Sequence, residues 1–312
     1  MAGTNGGVLS FKGLTLNQYI KLLDETYIEE ADKVETFIAS QFHEDSKKQY
    51  QINKEAYSGY PRAGSWEADG DAPDLQAVSY RWAVKATSAY IGTGTAYTKK
   101  AFDFERYDIL DAAPKLLNDS LRHAQAITAA QFYQNGFSTY WNTGAAEYWF
   151  TASHTLDARS EVSTYGNLIT GPLNVSNFQA ARRLLETTPD ELGRPGFYHA
   201  DTLLIPEALL DTAIEAKGTK EGRPDTANRT PNSLLTTNPG LTIMVNPWFD
   251  RFSEDAWFLL DSKKHKAMWN WSVPEEKWTA DDDHSRTHYQ YGSYAYMQWL
   301  DSWRGVVASE GD

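Results

Sequence analysis

His284 and His288 stand four residues apart, the spacing that brings two imidazoles to one face of a helix for zinc. The residues around them read as strand, and on a strand positions four apart lie about 13 Å from each other. The glutamate of a helical zinc-protease motif is missing too. "DDDH" at 281–284 reads as a solvated turn rather than a ligand cluster. Ser153-His154 lacks the strand–turn–helix setting of a nucleophile elbow, so no serine triad is expected. Glu67, Asp69, Asp71 and Asp74 fall in a stretch punctuated by Gly and Pro and match no calcium-loop spacing. Carboxylates are numerous enough for a glycosidase pair, but nothing in the sequence places two together. Seven tryptophans between Trp248 and Trp303 could form a sugar platform; their neighbours follow buried-strand patterns, so they are expected in the core. The expectation is a protein with no catalytic residue, no metal and no cofactor.

The bulk properties agree with that. The chain has 312 residues, enough for a large core in one or two domains. Its net charge of -13 argues against wholesale nucleic-acid binding through a basic surface. With no cysteine there is neither a disulfide nor a thiolate metal site. "MAGTNGGVLSFKG" is not patterned as a secretory signal, and no run approaches the roughly 20 apolar residues of a membrane helix. A soluble, acidic protein is expected.

Periodicity supplies the elements. Thr15 and Gln18 form a capping-box pattern, and Leu16, Ile20, Leu23, Tyr27, Ala31, Val34 and Ile38 make one helical stripe. After the turns of "YSGYPRAGSWEADGDAPD", Val78 to Ala86 alternate with period two and predict a strand; "YIGTGTAYT" is a glycine-softened strand or turn. Leu75–Phe102 carries Arg81, Lys85, Lys99 and Lys100 and no acid. "DAAPKLLNDSLRHAQAITAAQFYQNG" predicts a long helix from an Asp111 cap to Gly136, with Leu117, Leu121, Ala124, Thr128 and Phe132 inward. A second helix is expected from a Ser176 cap through Phe178, Ala181 and Leu185, and a third after Pro206. "ADTLLIP", "LTIMV" and "AWFLL" are buried strands, and 218–240 is a long polar loop. Ala267, Trp269, Trp271 and Val273 mark another strand. Tyr289 and Tyr291 differ in parity from Tyr294 and Tyr296, which predicts a bulge at Gly292.

The order of these elements resembles the major capsid protein of tailed bacteriophages, whose fold is shared with herpesvirus shells and encapsulins. The resemblance spans roughly residues 45–312. It is carried by "FDFERYDILDAAPKLLNDSLRHAQA", "GFYHADTLLIPEALLDTA", "NPGLTIMVNPWF…DAWFLLD" and "SYAYMQWLDSWRGVVAS". It implies an α+β fold with an N-terminal arm (1–50), an extended E-loop (51–107), a peripheral domain with a spine helix (108–164 and 263–312) and an axial domain (165–262). It further implies a structural subunit assembled in the host bacterial cytoplasm into hexamers, pentamers and the closed head of a virion around double-stranded DNA, without specific recognition of it. Other copies of the chain, a separate scaffolding protein, a portal and decoration proteins would be its partners. The short arm before the E-loop is the reason to expect separate scaffolding. An encapsulin-like shell and a secreted carbohydrate-active enzyme are the competing readings.

The charge asymmetry suggests where copies meet. Arg62, Arg81, Lys85, Lys99 and Lys100 in the E-loop are expected to face acids of a neighbour, with Glu275, Glu276, Asp281, Asp282 and Asp283 as the counterpart cluster.

Overall fold

Three runs of four residues, each apolar or nearly so, organise the interior: Thr202–Ile205, Trp257–Leu260 and Val306–Ser309 are buried at every position. A strand covered on both faces has no polar side to alternate with. A computed structural model describes residues 36–57, 80–100, 107–140, 147–156, 164–217, 240–282, 284 and 287–311. The expected helix over 16–34, the turns of 58–74 and the polar loop 218–239 lie outside them.

In chain order the described elements are α1 (Ile38–Gln41), β1 (His43–Asp45), β2 (Gln51–Tyr57), β3 (Tyr80–Thr87), β4 (Ala89–Thr98), α2 (Tyr107–Asn135), β5 (His154–Thr155), β6 (Thr164–Tyr165), β7 (Leu168–Ile169) and α3 (Val175–Glu186). There follow β8 (Thr202–Ile205), a 3-10 turn running into α4 (Leu210–Lys217), β9 (Thr242–Val245), β10 (Trp257–Leu260), β11 (Ala267–Asp282), β12 (Thr287–Leu300) and β13 (Val306–Ser309).

The strands form a five-stranded sheet in the order β7-β13-β10-β8-β9, a four-stranded sheet in the order β1-β11-β12-β4, the ribbon β2-β3 and the small pair β5-β6. The five-stranded sheet separates two cores. Leu203, Ile205, Trp257, Leu259 and Val307 meet Phe178, Ala181 and Leu185 of α3 and Ala213 of α4 on one face. Leu204, Phe258, Leu260, Val306 and Ala308 meet Ala129, Ala130 and Tyr133 of α2 on the other, together with Trp269 and Leu300 from the four-stranded sheet. Sequence neighbours thus point into different cores, as a period of two requires.

Several local expectations are corrected. Helix α2 begins at Tyr107, so Asp111 lies within it and is not its cap. At 29 residues it spans about 44 Å. Its deepest stripe is Leu117, Leu121, Ala126, Ala129 and Tyr133, shifted from the expected one after Leu121; the alanines let the backbone approach the sheets closely. Gly136 does close the helix, and a Cβ there would lie 2.6 Å from the Phe150 ring. Helix α3 is capped by Asn174, whose side chain accepts from the Asn177 N–H, and not by Ser176. Strand β9 sits at the sheet edge and is only half-buried. No bulge occurs at Gly292, which pairs in register with both Lys277 and Thr93. The irregularities are on β11, between Trp271 and Val273 and between Val273 and Glu276. Pro274, with no N–H to give the ladder, lies in the second of them. The last strand, β13, returns to the five-stranded sheet between β7 and β10.

Candidate assembly interface

Strands β2 and β3 hydrogen-bond only to each other among the described strands. Period-two alternation on β3 turns Trp82, Val84 and Ala86 inward, and they pack on Met297 and Trp299 of β12. The ribbon thus packs on β12 by side chains while forming a separate sheet among the described strands. The edge of a small sheet is a ready template for another chain.

Polar anchors fix where the ribbon lies. Lys54 Nζ is 2.5 Å from Asp301, whose other oxygen accepts from Trp299 Nε1 at 2.7 Å. Arg81 donates to the Thr155 carbonyl at 2.8 Å, and its Nε is 3.3 Å from Glu191. Glu191 is also 2.5 Å from Arg304, which donates to the Pro189 carbonyl at 2.7 Å and lies 4.5 Å from the Trp303 ring. The turn carrying Glu191 is shaped by Asp190, which accepts the N–H groups of Leu192 and Arg194. On the other face of this cluster His154 stacks on Trp303 at 4.2 Å and faces Glu147 at 3.1 Å. Burial on its own would raise the Glu147 carboxyl; the bonds from His154 and the Thr155 N–H outweigh it and hold the group below the usual carboxylate range. His154 is fully buried, its Nε2 beside the Trp149 carbonyl and Asn167.

The expected interface charges separate into three groups. Arg62 and Asp283 lie outside the described residues. Arg81 is turned to Glu191 of its own chain, because packing β3 on β12 carries it over the 187–196 turn. Glu275 is likewise engaged at home, 3.6 Å from Arg122 and 3.6 Å from Lys277. Asp281 meets His288 Nδ1 at 2.6 Å, and Asp282 accepts the His284 N–H. Lys85, Lys100 and Glu276 are exposed; Lys99 is half-buried just after β4. The sequence had singled out neither Glu191 nor Thr155 as a partner of Arg81. The Asp-Glu pair inside the turn "TTPDELGRPG" was the available sign.

No group of three or more His, Asp or Glu side chains among the described residues could hold a metal. His284 and His288 do not converge: the first is exposed and the second buried. Of the seven tryptophans, Trp257, Trp269, Trp299 and Trp303 are buried, while Trp278 stays open and stacks on Tyr291.

The family model for phage capsid proteins matches residues 83–309. Among solved structures, the fold is similar to the capsid structure of the Cyanophage P-SCSP1u, with a TM-score of 0.58 at 10% identity over 97% of this chain and 92% of that one. It is similar to a chain of Microbacterium phage Oxtober96, with a TM-score of 0.54 at 11% identity over 90% and 92%. A chain from the capsid asymmetric unit of Cyanophage Pam1 aligns over 100% and 99%, at 12% identity and a TM-score of 0.52. At such identities the likeness is one of fold. No curated protein sequence matches the chain.

Proposed function

Because the chain belongs to the phage capsid protein family and is a structural subunit of a phage head, we propose that it builds hexamers and pentamers through its β2–β3 ribbon and closes them into an icosahedral shell around double-stranded DNA. The observation carrying this mode of assembly is the ribbon itself, a two-stranded sheet of its own among the described strands, which packs on its own subunit through one apolar face and ion pairs of Lys54 and Arg81. In this reading residues 1–50 are the arm, 51–107 the E-loop, 108–164 and 263–312 the peripheral domain, and 165–262 the axial domain. The pairing of β13 with β7 and β10 supports a close seam between the last two.

In this reading Arg62, Arg81, Lys85, Lys99 and Lys100 of the E-loop face a neighbour, with Glu275, Glu276 and the 281–283 acids as counterparts; Arg81 and Glu275 also pair within their own chain. Other copies of the chain are the first partners; a scaffolding protein, a portal and decoration proteins complete the set, and assembly takes place in the host cytoplasm. DNA is enclosed without specific recognition, in keeping with a net charge of -13. We assign the subunit no catalytic role, since shell building needs repeated interfaces and not a reactive centre. No observation favours an encapsulin-like shell or a carbohydrate-active enzyme.

The test is expression alone and with the phage's scaffolding protein, followed by size-exclusion chromatography and negative-stain microscopy. Capsomers or closed shells are expected. A monomer under every condition, with measurable hydrolase activity, overturns the proposal.

A further inference from the structure

Phe197 is 78% exposed, more than any other large apolar side chain among the described residues, and its backbone is left-handed at φ 54°. Either feature costs a subunit in isolation: the ring gains nothing from water, and an L-residue with a bulky side chain resists that conformation. Both are nevertheless imposed by well-made surroundings. Lys264 Nζ holds the Phe197 carbonyl at 2.5 Å. Gly196 donates to the Thr188 carbonyl at 3.0 Å, packed so closely that a Cβ would lie 2.3 Å from the Tyr198 ring. On the other side the His199 N–H is bonded to Asp261 at 2.9 Å. The loop is fixed on both sides of the residue, and what it fixes is a phenylalanine standing in solvent.

Exposed cations lie near this knob: Lys264 holds its carbonyl, Lys263 precedes Lys264, and Arg194, paired with Asp190, stands three residues before Phe197, on a chain whose net charge is -13. We propose that Phe197 inserts into an apolar recess on a second copy of this chain, with these cations meeting that copy's surface carboxylates. An aromatic anchor ringed by polar groups is the common form of an interface hot spot. Charge complementarity selects the occupant: a copy of an acidic chain supplies the carboxylates, and a shell presents such copies at every contact. A nucleic-acid strand suits the site less well. It calls for successive aromatic platforms along a basic groove, whereas here one ring stands alone and Asp190, 2.9 Å from Arg194, adds a negative charge beside the site. The proposal rests on the reading of the chain as a shell subunit.

Phe197→Gly separates the roles, because glycine accepts the left-handed backbone while deleting the ring. The purified variant subunit should melt at or above the wild-type temperature. Its threshold concentration for assembly, followed by light scattering, should rise roughly tenfold or more, in the range of a lost hot spot. Phe197→Tyr should restore most of the assembly. In parallel, p-benzoylphenylalanine at position 197 should, on irradiation of assembled particles, cross-link chain to chain. Assembly of Phe197→Gly at the wild-type threshold overturns the proposal, and so do cross-links to packaged DNA in place of protein. Failure of the wild-type chain itself to assemble, with or without scaffolding, instead removes the shell reading on which this rests.

Discussion

Glu191 holds one carboxylate between two guanidinium groups, 2.5 Å from Arg304 and 3.3 Å from Arg81, with all three side chains largely out of solvent. One anion serving two cations makes it the indispensable member. Glu191→Gln leaves both arginines without a counter-charge and should lower subunit stability by about 3–5 kcal/mol. Arg304→Met, which leaves Glu191 paired with Arg81, should cost less. Urea unfolding of the three subunits gives the order, and a neutral Glu191→Gln result would show that water already satisfies the arginines.

The ribbon should owe its place to apolar packing more than to charge. Lys54 and Asp301 are partly exposed, at 52% and 21% of their side-chain surface, and such pairs contribute about 0–1 kcal/mol. Lys54→Met should therefore leave amide protection in β2 and β3 nearly unchanged. Trp82→Ala removes a buried ring from the contact with Met297 and Trp299. Hydrogen exchange of 51–57 and 80–87 should then accelerate while the five-stranded sheet stays protected.

Lys85 is the better probe of contacts between subunits. Arg81→Glu would place a second acid against Glu191 and break the ribbon's own anchor, so its effect on assembly would be ambiguous. Lys85→Glu touches no ion pair among the described residues. It should preserve the circular dichroism spectrum and slow assembly by up to about fivefold per interface, the equivalent of one exposed pair. Added salt should narrow the difference. Identical assembly curves at low and high salt would remove Lys85 from the interface.

His265 couples the subunit to pH. It stacks on His43 at 4.3 Å, and burial, followed by the charge of His43, pushes its pKa down to about 3. The folded state keeps the ring neutral; the unfolded chain takes up a proton near its ordinary value of about 6.5. Its contribution is therefore complete above that pH and is lost as pH falls towards 3. Between pH 6.5 and 5 the loss is on the order of 2 kcal/mol. Denaturant midpoints at pH 7 and pH 5 measure it, and His265→Asn should flatten that slope.

Gly305 turns the chain from Trp303 into β13 at φ 86°, and a Cβ there would lie 2.8 Å from the His265 backbone. Backbone cannot swing aside as a side chain can. Gly305→Ala combines left-handed strain of about 1 kcal/mol with that clash and should destabilise by more than 2 kcal/mol in all. A thermal melt of the purified variant checks it.

Much of this architecture was legible in one dimension. Apolar runs at 202–205 and 257–260, the alternation around Trp82 and the Phe178–Ala181–Leu185 stripe each record how one segment divides its surface between water and protein, and local periodicity is sufficient for that. The element order carried the family as well, because connectivity is a property of sequence.

The partners were not. Trp257 and Phe258 are equally apolar neighbours, and only the placement of the five-stranded sheet sends the first to α3 and the second to α2. Asn167 joins the Trp149, Trp303 and Val306 carbonyls through one amide, with no spacing in the sequence to announce it. Arg81 looked like a cation in search of a neighbour because no acid lies near it along the chain; folding brings Glu191 to it through space. The sequence by itself determined which side of each element is apolar and in what order the elements come. The tertiary structure decided which faces meet and which charges are already paired, because these depend on contacts between distant residues whose energies exist only once the chain has closed upon itself.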